Sequence, residues 1–172
     1  MRNYLAEKPR EEELSFQQTC SECGEGFAFA EKKRLEDDNI ILLEQCTECS
    51  YSKRINRALT IENDPITKIL KGIKTWEMRD RHCRIRESIG LIEIGTGTIV
   101  GAMEIIGTRG PMGREELLEN KKRHCSDPDF LLSKGWDHAW ILKKPRKFVN
   151  PIPYKHPRGA QMWVKLTKKV LE

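Results

Sequence analysis

The stretch Gly72-Ile73-Lys74-Thr75-Trp76-Glu77-Met78-Arg79 changes its periodicity halfway through, and that change organises the reading of the 172-residue chain. Upstream, Asn63 to Lys71 reads as a two-turn helix. Asp64 suits the N-cap, Pro65 the first helical position, and Ile66, Ile69 and Leu70 form one apolar stripe. Gly72 falls where a left-handed residue ends a helix. Beyond it the pattern has period two: Trp76 and Met78 point one way, and Thr75, Glu77 and Arg79 the other. Lys74 sits at the junction, where it is expected to swing freely over the polar face. An ammonium, a carboxylate and a guanidinium are thereby gathered where a helix gives way to a strand.

Gly-x-Lys-x-x-Glu-x-Arg, met by Gly72, Lys74, Glu77 and Arg79, resembles the signature of the ASCH domain, a small β-barrel related to the PUA fold. The order downstream is similar too: a Gly-bounded strand pair near Ile99-Val100-Gly101, an aromatic strand His138 to Leu142, and a closing strand with Trp163. The resemblance covers residues 58–172. It implies a PUA-like barrel with short flanking helices, which together with the small zinc ribbon that residues 19–57 resemble makes the expected fold class α+β. It also implies a cleft for RNA, nucleotides or related ligands around Lys74, Glu77 and Arg79, with Arg81 and His138 as further nucleic-acid contacts. Some ASCH-like enzymes deacylate an acetylated cytidine with a Lys, a Thr and a Glu, and others are ribonucleases. In the deacylating type the nucleophilic Thr stands three residues after the Lys. Glu77 occupies that position here and Thr75 comes two residues too early, which argues against that mechanism.

Charge divides the chain. Residues 1–60 hold 9 Lys+Arg against 12 Asp+Glu, and residues 61–172 hold 22 against 14, so a balance of −3 is followed by one of +8. The positive field belongs to the C-terminal part, and its natural partner is a polyanion. No segment is apolar enough to span a membrane, the longest aliphatic run being Ile40 to Leu43. Residues 1–16 lack an apolar signal core, and the expected location is the cytoplasm or nucleus.

Residues 1–18 read as a flexible leader. Residues 19–57 hold two Cys-x-x-Cys knuckles, Cys20/Cys23 and Cys46/Cys49, separated by 22 residues. Each knuckle lets two thiolates converge, and two complete a tetrahedral shell for one structural zinc. A redox dithiol would need one pair in a βαβ frame, which is missing. The intervening residues fit a hairpin, Glu31 to Arg34 up and Ile40 to Leu43 down. So short a unit has little core of its own, so the metal is expected to supply much of its stability. Ser50 to Arg57 reads as a basic connector, and Ala58 to Ile61 as the first barrel strand.

Further strands are expected at Ile89–Glu93, Thr98–Ile106, Trp136–Leu142 and Gln161–Leu166. Helices are expected at Glu115–Arg123 and after the Asp127-Pro128 cap, with a loop through the proline-rich segment after Lys143. Trp76, Trp140 and Trp163 are assigned to the core, and Glu104 is a candidate second carboxylate facing the cleft. No histidine pair stands out by spacing. Three readings of function follow. One is a nucleic-acid-binding protein, for RNA or single strands. Another is a hydrolase (ribonuclease or modified-nucleoside amidohydrolase) using Lys74, Glu77 and Arg79 as catalytic groups. The third is an interaction module in a transcription or translation complex, docking a protein through the ribbon.

Overall fold

The computed structural model describes residues 19, 20 and 22–172. The leader read over residues 1–18 lies outside the described residues. The chain runs β1 (Ala28–Arg34), β2 (Ile40–Cys46), β3 (Ser52–Ile55), β4 (Arg57–Ile61), α1 (Asn63–Leu70), β5 (Trp76–Arg79), β6 (Ser88–Glu93) and β7 (Thr98–Arg109). It continues through α2 (Arg114–Glu119), α3 (Lys121–His124), α4 (Pro128–Ser133), β8 (His138–Pro153), β9 (Trp163–Lys165) and α5 (Lys168–Leu171). None of these helices is long and apolar enough to cross a membrane.

The first three strands form an antiparallel sheet in the order β1-β2-β3. The other six form a mixed half-barrel, β5-β8-β7-β6-β4-β9, whose one parallel pair is β4 with β6. The intervening α1 makes that crossover, as parallel neighbours require. Its Ile66, Ile69 and Leu70 lie under the barrel beside Leu59, Leu91 and Met103. Gly72 ends the helix with φ +72°, the left-handed turn expected there. The cap differs from expectation: Glu62 occupies the N-cap, and Asp64 lies in the first turn, where Lys68 donates to it at 2.7 Å.

Four elements depart from the sequence reading, two of them through strand pairing. The basic connector contains β3, recruited by β2 with Leu43 opposite Arg54. The helix expected at Glu115–Arg123 breaks at Asn120 into α2 and α3. The segment after Lys143 continues β8, because β7 pairs along it from Arg109 back to Thr98, with shifts of register that absorb the prolines. The last turn, α5, has no counterpart among the expected helices. Asp127 does cap α4, accepting from the Phe130 amide at 3.0 Å.

The small sheet is not a separate globule. Ala28, Ala30, Ile40, Leu42 and Ile55 share one apolar cluster with Ile99, Ala102, Phe148, Ile152, Val164 and Leu171. Asn150 of β8 bonds both the amide and the carbonyl of Ala30. At the centre of this seam, Glu44 is fully buried against Arg146. The Arg146 guanidinium donates to both Glu44 oxygens, to Ser88 Oγ at 2.6 Å and to the Lys144 carbonyl.

Candidate functional site

The four cysteines come together at one end of the small sheet. Their sulfurs all lie within 4.8 Å of one another, with Cys20–Cys49 at 3.8 Å and Cys23–Cys46 at 3.7 Å. A tetrahedron with Zn–S arms of about 2.3 Å has edges of about 3.8 Å. The donor set and spacing therefore fit a tetrahedral metal site. Backbone amides of Glu22, Gly26 and Glu48 point at Cys20, Cys23 and Cys46, each at 3.4 Å. Such amides stabilise thiolate charge: those of Gly26 and Glu25 bring Cys23 down to about 7. Although the Tyr51 amide lowers Cys49, burial and the neighbouring sulfurs push it up to about 12. Four thiols this close cannot all ionise without a cation among them. Gly26 is required here, because a Cβ would overlap the Cys46 sulfur.

The second site is built on β5. Trp76 and Met78 enter an apolar cluster with Met112, Leu117 and Leu131. Glu77 and Arg79 take the opposite face, as the alternation requires. That face is also largely buried, with Glu77 only 5% exposed. Lys74 is 6% exposed and does not swing freely. Its Nζ donates to the His124 carbonyl at 2.9 Å and lies 3.4 Å from Glu77 Oε2. The C-terminal carbonyls of α3 hold this segment, for Arg123 also accepts from the Thr75 amide. A helix C-terminus aimed at an ammonium is a favourable arrangement of charge.

Arg79 Nη2 lies 2.9 Å from Glu77 Oε1, so Glu77 is shared between two cations. The guanidinium carbon sits 5.9 Å and 5.8 Å from the ring centres of Trp136 and Trp140, a double cation–π contact. Arg79 Nε is buried and has no hydrogen-bond partner among the described residues. Trp140 is fixed in turn by its Nε1–H, which donates to the Arg81 carbonyl at 2.8 Å, and by stacking on Trp163 at 5.7 Å. Trp76 and Trp140 are core residues as expected, whereas Trp163 is half-buried.

The remaining residues divide. His138 lies opposite Arg79 in register, on the rim of this face. Arg81 is exposed, and its guanidinium is doubly bonded to Asp80 at 2.7 and 2.6 Å. Glu104 does not face the cleft: it turns to the seam, 3.4 Å from Lys53 and 3.9 Å from Lys144. Sequence reasoning missed three contributors. His124 is fully buried, donating from Nε2 to the Leu117 carbonyl at 2.7 Å while Nδ1 accepts from the Ser126 amide. Burial, then the nearby Lys74 and Lys121 charges, lower its affinity for a second proton. Trp136 and His82 are the other two. No spacing in the sequence marks any of them.

Neither a protein-family model nor a curated protein matches the sequence. Among solved structures, the crystal structure of ASCH from Zymomonas mobilis superposes with a TM-score of 0.51 at 12% identity, covering 64% of this chain and 86% of that one. The fold is that of an ASCH domain. A serine-to-alanine mutant of the same Zymomonas mobilis protein matches at a TM-score of 0.48 and 16% identity, over 66% of this chain and 89% of that one. The half-barrel with short helices is thus an ASCH-like α+β architecture, and the cysteine cluster lies on the small sheet packed against it.

Proposed function

We propose that this protein binds RNA, or another single-stranded nucleic acid, in the ASCH cleft, with Arg79 as the anchoring cation and one zinc held by Cys20, Cys23, Cys46 and Cys49. The observation that carries the reading is the Arg79 Nε–H, a buried charged donor without a partner, on a guanidinium clamped by Glu77 and flanked by two indoles. A donor in such a setting gains most from an anionic oxygen, and phosphate is the anion that planar guanidinium groups recognise. The balance of +8 beyond residue 60 supplies the longer-range attraction. Lys74 acts indirectly: it neutralises Glu77 and so leaves Arg79 charge for a ligand. Glu77, engaged on both sides by cations, is a positioning residue rather than a free base. The zinc ties the knuckle that precedes β1 to the knuckle between β2 and β3.

Fluorescence anisotropy of the full chain with a labelled single-stranded RNA tests this. Affinity is expected to fall steeply with salt, and Arg79→Ala to reduce the salt slope by about one. Binding that is indifferent to salt, or to Arg79, would defeat the reading. Glu77→Gln separates it from the hydrolase reading. Wild-type cleavage that disappears in this variant while binding persists would make Glu77 an acid or base.

A further inference from the structure

Two histidines 56 positions apart in the chain meet at the rim beside Arg79. The rings of His82 and His138 stand edge to face with centroids 4.4 Å apart. Each has one nitrogen engaged: His82 Nδ1 lies 3.2 Å from Thr108 Oγ1, and His138 Nδ1 lies 2.6 Å from Asp137 Oδ1. Among the described residues, neither Nε2 has a hydrogen-bond partner. His82 is exposed and His138 half-buried, and His138 stands directly opposite Arg79 in the pairing of β5 with β8. Packing fixes the arrangement, since Thr108 and Arg109 of β7 pair with Trp140 and Ala139 of β8.

From this geometry, and resting on the nucleic-acid reading above, we infer that Arg79, His82 and His138 form a site for a terminal phosphate, a phosphomonoester rather than an internal phosphodiester. A monoester carries a second negative charge near neutral pH and three oxygens able to accept. An internal diester has one charge and two free oxygens. One guanidinium N–H and two imidazole N–H groups match the first need better. In their protonated form both imidazoles donate from Nε2. Other charged groups around the pair are few. Asp137 holds His138, Glu77 is neutralised by Lys74 and Arg79, Asp80 is bonded to Arg81, and Arg109 is paired with Glu116. The local balance therefore becomes more positive as the histidines take up protons.

The test uses the full chain and single-stranded RNA of about ten nucleotides, labelled at the far end and carrying a 5′-hydroxyl, a 5′-phosphate or a 3′-phosphate. Near pH 6.5, at least one phosphorylated strand is expected to bind roughly tenfold more tightly than the hydroxyl strand, the gain narrowing to roughly twofold or less near pH 8.5. His82→Gln with His138→Gln should bring the phosphorylated strand to the affinity of the hydroxyl strand. The wild-type pH series probes the same dependence without any variant. Adenosine monophosphate added as competitor separates the sources. Displacement at the strand's own affinity assigns the site to free nucleotides, and weak displacement to polynucleotide ends. Equal wild-type affinity for all three strands near pH 6.5 overturns the inference and leaves the nucleic-acid reading standing. No binding of any strand at low salt overturns both.

Discussion

Two buried carboxylates, Glu44 beside one cation and Glu77 between two, do opposite things. At the seam, all three nitrogens of the Arg146 guanidinium are engaged: on Glu44, on Ser88 and on the Lys144 carbonyl. No nitrogen is left without a partner, and the cluster ties the cysteine-bearing sheet to the barrel. At the cleft, Glu77 is over-supplied, with Lys74 on one oxygen and Arg79 on the other, and Arg79 Nε remains unpaired. Burial is similar in both places, but the seam sets one cation against its carboxylate and the cleft sets two. Satisfaction differs. A closed network serves stability, while the open one leaves a charged donor unsatisfied.

The largest effect that bears on this contrast is expected from the metal. Cys46 ends the strand that carries Glu44, so Cys46→Ser should release the metal and loosen the seam from that end. We expect destabilisation on the order of several kcal/mol, seen as a lower melting temperature of the whole chain and loss of about one equivalent of zinc. A barrel that melts unchanged would mean that the shared apolar cluster does not couple the two sheets. Glu44→Gln comes next. It leaves Arg146 buried without a counter-charge, and should cost about 3–5 kcal/mol in chemical denaturation. The folded fraction should bind nucleic acid as before, because the seam is distant in function from Arg79.

At the cleft the order of effects reverses. Arg79→Ala should weaken RNA binding roughly tenfold or more while costing little stability, since Lys74 still neutralises Glu77. Lys74→Ala is the sharper probe. Lys74 is buried between the His124 carbonyl and Glu77, so its removal should destabilise the fold measurably as well as weaken binding. If Lys74→Ala and Arg79→Ala behave identically in both assays, the division between a supporting and an anchoring cation is wrong.

The smallest effect concerns pH. Burial lowers the proton affinity of His124 in the folded state below its ordinary value of 6.5. The unfolded chain therefore takes up a proton first on acidification. Its contribution is fully present above pH 6.5 and is lost progressively as pH falls below that value. Denaturation midpoints measured across that window should decline, and His124→Gln should flatten the decline.

Much of this molecule was legible in the chain because it depends on neighbours in sequence. The Gly72 turn, the Asp127 cap and the alternation of Trp76 with Glu77 are local matters of dihedral angle and period. The paired cysteine spacing announced the four-sulfur cluster for the same reason, since each knuckle is a single turn. Illegible parts depended on partners remote in sequence. The proline-bearing stretch after Lys143 looks like a loop until β7 lies beside it, and the connector at Ser52–Ile55 becomes a strand only through β2. Lys74 reads as a mobile surface cation until α3 brings the His124 carbonyl over it.

The sequence by itself thus determined the elements around Gly72, the cysteine set, the positive C-terminal part and the membership of Lys74, Glu77 and Arg79 in one locality. Only the tertiary structure decided which partners engage those charges, that Arg79 Nε has none among the described residues, and that His82 stands beside His138. The physical reason is that hydrogen-bond satisfaction and burial are properties of surroundings. A side chain's identity states what it can donate or accept, whereas the packing of distant strands and helices decides whether that capacity is already used.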